Sequence, residues 1–249
     1  MASHEMKRCP RCQLPFECKA GNILECQCYN VRLGDEARKQ IGENYQDCLC
    51  AACLVELSSN LLPFDGEVYF YPSFFNESEA DALLPSLEEN VPWKQEPITI
   101  MGKKIMQPRL TALMGDPSKP YTYSGLKMVP DNFNADLLGI KDRIESFSGH
   151  HFTTALLNYY RDGSDSMGWH RDNEKSLGVN PVIASVSFGA TRLFKLKHLT
   201  DSPKKISIPL THGSLLLMAG ATQHHWYHSI PKQTKPIGAR VNITFRKLV

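Results

Sequence analysis

Arg240-Val-Asn-Ile-Thr-Phe-Arg246 alternates strictly between polar and apolar residues. A period of two is that of an extended strand, so Arg240, Asn242, Thr244 and Arg246 project from one face and Val241, Ile243 and Phe245 from the other. The apolar face belongs against a core. The polar face is either solvated, its two arginines roughly 20 Å apart at about 3.3 Å per residue, or it is a binding surface. Planar guanidinium forks at both ends suit an elongated ligand carrying a carboxylate at each end.

Outward from this strand, short β-type runs with turn punctuation are predicted over 67–71, 97–105, 152–160, 182–188, 191–197, 205–210 and 214–218, with the terminal strand running over 240–248. Helical periodicity is confined mostly to 77–90 and 135–148, where Ser78 and Asn134 are the candidate caps. Many short strands and few helices predict a mainly β chain, a sandwich or jelly roll with the helices outside the sheets. On the strand over 152–160, Asn158 and Tyr160 share a face; if buried, both need polar partners.

The most chemically loaded segment is Gly168-Trp-His170-Arg-Asp172-Asn-Glu174. In an extended chain His170 and Asp172 project to the same side and can share one metal ion. A histidine from a distant strand would complete a two-His, one-carboxylate triad, the donor set of a non-haem Fe(II) site with open positions. His224, His225 and His228 are all available, and local chemistry does not choose between them.

Taken together, His170-x-Asp172, a distant histidine and Arg240-x-Asn-x-Thr-x-Arg246 resemble the AlkB family of Fe(II)- and 2-oxoglutarate-dependent dioxygenases, nearest its nuclear DNA-repair branch. Further matching stretches are Gln107-Pro-Arg-Leu-Thr-Ala112, Pro120-Tyr-Thr-Tyr-Ser124, 183–191 and 212–218. The resemblance implies a double-stranded β-helix (jelly roll) with flanking helices. It also implies His170, Asp172 and His228 as iron ligands, the last through its place in Trp226-Tyr-His228-Ser-Ile-Pro231. Arg240 would take the distal carboxylate of 2-oxoglutarate and Arg246 the metal-proximal end, with Asn158, Tyr160 and Thr244 alongside. Tyr121, Tyr123 and Ser124 fall where the family places its nucleotide-recognition lid, and Glu174 where a carboxylate would meet an exocyclic amine. Asn173 departs from the acidic residue of the nearest branch, which bears on base preference.

The implied reaction is oxidative dealkylation of N-alkylated bases such as 1-methyladenine and 3-methylcytosine in DNA, consuming O2 and converting 2-oxoglutarate to succinate. An RNA demethylase on the same fold, and a zinc-stapled nucleic-acid-binding scaffold with an idle dioxygenase site, are the competing readings. The target base must leave its stack to reach a metal inside the protein.

All eight cysteines precede residue 54: Cys9, Cys12, Cys18, Cys26, Cys28, Cys48, Cys50 and Cys53. Few large aliphatic residues accompany them, and closely spaced thiolates in a reducing compartment favour tetrahedral zinc over disulfides. The segment resembles the small cysteine-rich CWC module, which implies metal binding with the ligand subset open. Residues 1–58 are therefore expected to form a small metal-binding domain and 59–249 the dioxygenase domain.

The formal net charge of +2 is too small to be a nucleic-acid footprint by itself, so phosphate contacts need local patches. Lys103, Lys104 and Arg109 form one candidate; Arg161 and Arg171 either contact phosphate or pair with Asp162 and Asp165. The polar amino terminus and the absence of a long apolar run predict an intracellular protein with no membrane span, cytoplasmic in a bacterium or nuclear in a eukaryote, and a monomer.

Overall fold

The computed structural model describes residues 5–249 except 20, 23–24, 30, 32, 34–37, 39–40, 44, 59, 63, 101–102, 119–120, 124–125 and 202–204, and gives the backbone but not the side chains of 55–56, 58, 98–100, 103, 121–123 and 126–128. The chain divides into two compact units, Met1–Tyr69 and Phe70–Val249. This division falls later than the expected boundary after residue 58. The intervening segment folds back on itself: the Asn60 side chain accepts from the Leu62 and Val68 N–H groups and donates to the Gly66 carbonyl, and the Leu61 N–H donates to the Val68 carbonyl.

In the first unit β1 (Glu5–Arg8) pairs antiparallel with β2 (Pro15–Cys18), and α1 spans Ala51–Ser58. Its buried apolar side chains among the described residues are Phe16, Leu49, Leu54, Leu57, Leu62, Val68 and Tyr69, beside the buried cysteines Cys9, Cys18, Cys26, Cys50 and Cys53. So thin an aliphatic core needs another staple.

The remaining elements follow in order: β3 (Glu67–Tyr71), α2 (Glu77–Asn90), β4 (Pro97–Ile100), β5 (Lys103–Met106), β6 (Leu110–Gly115), β7 (Tyr121–Tyr123), β8 (Leu126–Met128), α3 (Ala135–Ser148), β9 (Thr154–Tyr160), β10 (Met167–His170), β11 (Ile183–Gly189), β12 (Arg192–His198), β13 (Lys205–Leu210), β14 (Ser214–Ala219), α4 (Thr222–His225), β15 (Trp226–Ile230) and β16 (Arg240–Arg246). They build a six-stranded sheet, β3-β14-β11-β16-β9-β6, and a four-stranded sheet, β10-β15-β12-β13. This is a mainly β jelly roll with the helices outside it. The stretch expected as one strand over 97–105 is a hairpin of β4 and β5, and β7 and β8 form another.

The strand carrying Arg240 to Arg246 lies at the centre of the larger sheet, paired with β11 on one side and β9 on the other. Both of its faces are buried, which removes the solvated alternative for the polar one. Helix α2 packs against β11, β16 and α3, covering the apolar face. Its cap is Asn76, not Ser78: the Asn76 side chain accepts from the Glu79 N–H while the Glu79 carboxylate accepts from the Asn76 N–H, a reciprocal box. Helix α3 starts on Asn134 as expected and ends on Gly149, whose φ of 72° is the left-handed conformation glycine tolerates. Gly189, φ 88°, makes the tight turn from β11 to β12, and a Cβ there would overlap the Ala239 carbonyl oxygen.

Candidate active site

The antiparallel register of β10 and β15 sets His170 directly opposite His228, with the imidazole centroids 4.2 Å apart. Asp172 lies just past the end of β10 rather than within an extended strand, so strand alternation does not aim it. A hydrogen bond from its N–H to the Gln223 side-chain oxygen, 2.9 Å, holds it instead. The candidate donor atoms of His170, Asp172 and His228 all lie within 4.8 Å of one another, and His170 Nε2 is 3.8 Å from Asp172 Oδ1. His170 Nδ1 is 2.9 Å from the Gly168 carbonyl oxygen, which places the ring proton there and leaves Nε2 with its lone pair. His224 and His225 are not part of this cluster.

Asp172 is 1% exposed; its Oδ2 accepts from Arg246 Nη2 at 2.8 Å, whereas its Oδ1 has no hydrogen-bond partner among the described residues. Burial alone would push its carboxyl pKa up, but the Arg246 guanidinium beside it outweighs burial and holds the group ionised well below the usual carboxylate range. Burial, reinforced by His170, pushes His228 down to about 3, so its ring is neutral at physiological pH. His170 is lowered chiefly by burial too. Phe194 stacks on the His228 ring, with centroids 5.2 Å apart. A buried carboxylate oxygen without a donor, beside two neutral imidazoles, is the donor set that a divalent non-haem iron requires.

From this cluster a cavity runs between the sheets, lined by Asn158 and Tyr160 of β9, Ser185 of β11 and Arg240, Asn242, Thr244 and Arg246 of β16. Arg240, 1% exposed, donates through Nη2 to Ser187 Oγ at 2.9 Å and lies 5.2 Å from the Tyr160 ring centroid. Its Nε and Nη1 have no hydrogen-bond partner among the described residues. Burial and the neighbouring Arg192 lower its pKa to about 10, which still leaves it cationic at neutral pH. A buried cation with unused donors facing a cavity is an anion site.

Comparisons with known proteins identify the family of each segment. Residues 67–246 match the 2OG-Fe(II) oxygenase superfamily, and residues 9–55 match the cysteine-rich CWC family. The chain is 44% identical to the human alpha-ketoglutarate-dependent dioxygenase alkB homolog 3 over 188 residues, covering 72% of this chain and 65% of that protein. It is 39% identical to the human DNA oxidative demethylase ALKBH2, covering 72% of each. The chain belongs to the AlkB family. The solved structure of OsALKBH1 shares the fold, with a TM-score of 0.53 at 19% identity, covering 72% of this chain and 97% of that one.

Other residues of this AlkB-family site were not singled out in advance. Gln223 orients Asp172, and Asn242 donates to Ser185 Oγ and the Val186 carbonyl. Period-two alternation had put Asn242 on the correct face without a role, and Ser185 is reached only through the register Ser185↔Thr244. Arg109 is 4% exposed and donates through Nε to Asn158 Oδ1 at 2.7 Å, so it is not part of a surface patch. Arg161 pairs with Asp165 at 2.8 Å, and Arg171 donates to the His224 carbonyl while stacking on Tyr227. Asn173 is exposed and Glu174 half-buried. Tyr121 and Tyr123 lie in β7, their side chains outside the described set, and Ser124 lies outside the described residues.

In the amino-terminal unit the sulfur atoms of Cys9, Cys12, Cys50 and Cys53 all lie within 4.8 Å of one another, with Cys12 and Cys50 3.7 Å apart. Cys9 sits at the end of β1, Cys12 in the turn after it, and Cys50 and Cys53 at the start of α1.

Proposed function

We propose that this chain removes alkyl groups oxidatively from N-alkylated bases of DNA, using Fe(II), 2-oxoglutarate and O2. The observation that carries the reading is the convergence of His170, Asp172 and His228 at one end of a buried cavity that also holds the unsatisfied Arg240 guanidinium. The activity named for the 39%-identical human relative, a DNA oxidative demethylase, supports the choice of substrate.

In this reading His170 Nε2, an imidazole nitrogen of His228 and Asp172 Oδ1 hold the iron. Arg240 binds one carboxylate of 2-oxoglutarate, and Tyr160, Asn158 and Thr244 shape the channel. Arg246 keeps Asp172 anionic and faces the metal-proximal end. Iron with its co-substrates supplies the oxidation of an N-alkyl carbon. The hydroxylated carbon then departs from the base nitrogen as an aldehyde, so the chain need not supply a general base; its work is ligation, orientation and exclusion of water. Tyr121, Tyr123, Ser124, Asn173 and Glu174 are the residues proposed to meet the unstacked base. Cys9, Cys12, Cys50 and Cys53 hold a structural zinc ion.

The test is turnover on matched DNA and RNA oligonucleotides carrying 1-methyladenine or 3-methylcytosine, following formaldehyde and succinate together. Stoichiometric release of both from DNA, lost in Asp172→Ala, is the expected result. A strong preference for RNA moves the substrate to the competing class, and no Fe(II)-dependent succinate with any of these substrates overturns the enzymatic reading.

A further inference from the structure

Arg192, the first residue of β12, is 1% exposed, yet it does not line the cavity between the sheets. Its guanidinium donates only to backbone carbonyls: Nη1 to Asp162 at 3.1 Å, and Nη2 to Asp165 at 2.8 Å and to Pro231 at 2.7 Å. Nε has no hydrogen-bond partner among the described residues. Carbonyl dipoles satisfy donors but bring no net charge. The two carboxylates of the same loop are engaged elsewhere, Asp165 by Arg161 and Asp162 by Ser164. Arg192 is therefore a buried cation held without a paired carboxylate among the described residues.

A second such cation shares its aromatic neighbour. The guanidinium carbon of Arg192 lies 5.4 Å from the Tyr160 ring centroid, and that of Arg240 lies 5.2 Å from the same centroid. The two groups are thus at most about 11 Å apart, a distance at which a unit charge in an effective dielectric of about 20 changes an equilibrium by roughly tenfold. Burial lowers the pKa of both, and Arg192 adds to the lowering at Arg240. Two cations desolvated side by side cost stability unless an anion answers them. Tyr160 and Arg240 line the cavity. The carbonyls that grip Arg192 flank other lining residues: Asp162 and Asp165 lie between Tyr160 and Met167, and Pro231 follows Ile230.

We infer that Arg192 is a positioning residue for the dicarboxylate co-substrate. Without touching the ligand, it fixes Tyr160 and the ends of β9 and β15 around Arg240, and it adds a second positive charge to the field at Arg240. This role rests on the reading of Arg240 as the anion site. It makes selectivity for a ligand with a carboxylate at its far end the work of two arginines, only one of which the ligand meets.

The test compares 2-oxoglutarate with 2-oxopentanoate, the same carbon chain without the far carboxylate, by calorimetric titration into the full-length protein loaded with Mn(II). Binding is read without turnover. The unaltered chain should prefer 2-oxoglutarate. Arg192→Gln keeps a donor for the carbonyls, and Arg192→Met is similar in volume. In either, the preference should fall about tenfold while the Kd for 2-oxopentanoate stays within about twofold. Arg192→Lys keeps the charge and should retain most of the preference. A merely structural residue would weaken both ligands alike. Equal weakening, an unchanged preference, a loss in Arg192→Lys as large as in Arg192→Gln, or failure of both neutral variants to fold each overturns the role. Failure of the underlying reading looks different: an unaltered chain with no preference for 2-oxoglutarate removes Arg240 as the anion site, and the role of Arg192 goes with it.

Discussion

Arg240 and Arg246 stand on one face of one strand, yet their surroundings make opposite demands. Arg246 Nη2 is paired with a fully buried carboxylate, so Arg246→Leu leaves Asp172 without its countercharge and should destabilise the protein by about 3–5 kcal/mol in denaturant unfolding. Arg240 is a buried cation with two unused nitrogens, held by Ser187 and the Tyr160 ring. Arg240→Met, similar in volume, should therefore change stability by no more than about 1 kcal/mol, or raise it. The same substitution should raise the KM for 2-oxoglutarate at least ~30-fold, the lower end of what an unpaired buried charge costs a ligand. Equal stability losses in the two variants, or an unchanged KM in Arg240→Met, would show that the cavity does not use Arg240 as an anion site. Asp165 offers a pH test away from the metal cluster. Its carboxylate accepts from the Arg161 backbone N–H, Nε and Nη2, and although burial raises its pKa, Arg161 outweighs that and lowers it. The stability it contributes is thus complete above its ordinary pKa of about 3.9 and is lost as pH falls through the lowered native value. Acid unfolding of Asp165→Asn should show a smaller loss of stability across that window; an identical acid limb would remove Asp165 as a contributor.

At the scale of elements, α2 separates two readings of its own amino terminus. Asn76→Ala removes the side-chain half of the capping box and should cost about 1 kcal/mol, whereas Ser78→Ala should stay within about 0.5 kcal/mol; melting curves of the pair decide it. The sequence pointed to Ser78 because a hydroxyl near the first helical residue is the usual cap, but Asn76 also has Glu79 three residues on, and that spacing is the stronger signal. The two helices were legible over their full length, since a 3.6-residue stripe over fourteen residues is hard to mistake. Strands with clean alternation, such as β16, were equally plain. β6 and β15 were passed over for different reasons. Leu110–Gly115 is buried nearly throughout and so reads as an undifferentiated apolar run. Trp226–Ile230 mixes polar and aromatic residues, and its role depends on pairing with β10 and β12, which no local pattern reveals. The same limit applies to the site. His170 and Asp172 were legible as a pair, but Gln223, which fixes Asp172, and Arg109, which fixes Asn158, act through contacts 51 and 49 residues away in sequence.

For the molecule as a whole, the larger unit stores electrostatic stress in the space between its sheets: the Asp172 carboxylate, the Arg240 guanidinium and two imidazoles are largely removed from water, and Asp172 Oδ1 and Arg240 Nε and Nη1 have no hydrogen-bond partner among the described residues. Such groups lower the stability of the empty fold, and the ligand set that satisfies them must return it. Metal and 2-oxoglutarate should therefore stabilise cooperatively, because iron answers Asp172 Oδ1 and the imidazoles while the dicarboxylate answers Arg240. At a hundred times the dissociation constant, linkage adds about 2.7 kcal/mol, equivalent to a rise of roughly 5–11 °C in Tm for a domain of this size. Redox-inert Mn(II) in place of iron allows the measurement in air. Mn(II) with 2-oxoglutarate should raise Tm by more than the sum of their separate effects, and Asp172→Ala should abolish the metal-dependent part. Additive effects, or a full shift in Asp172→Ala, would mean that the two ligands do not share this cavity, and the reading of His170, Asp172 and His228 as one metal centre would fall with it.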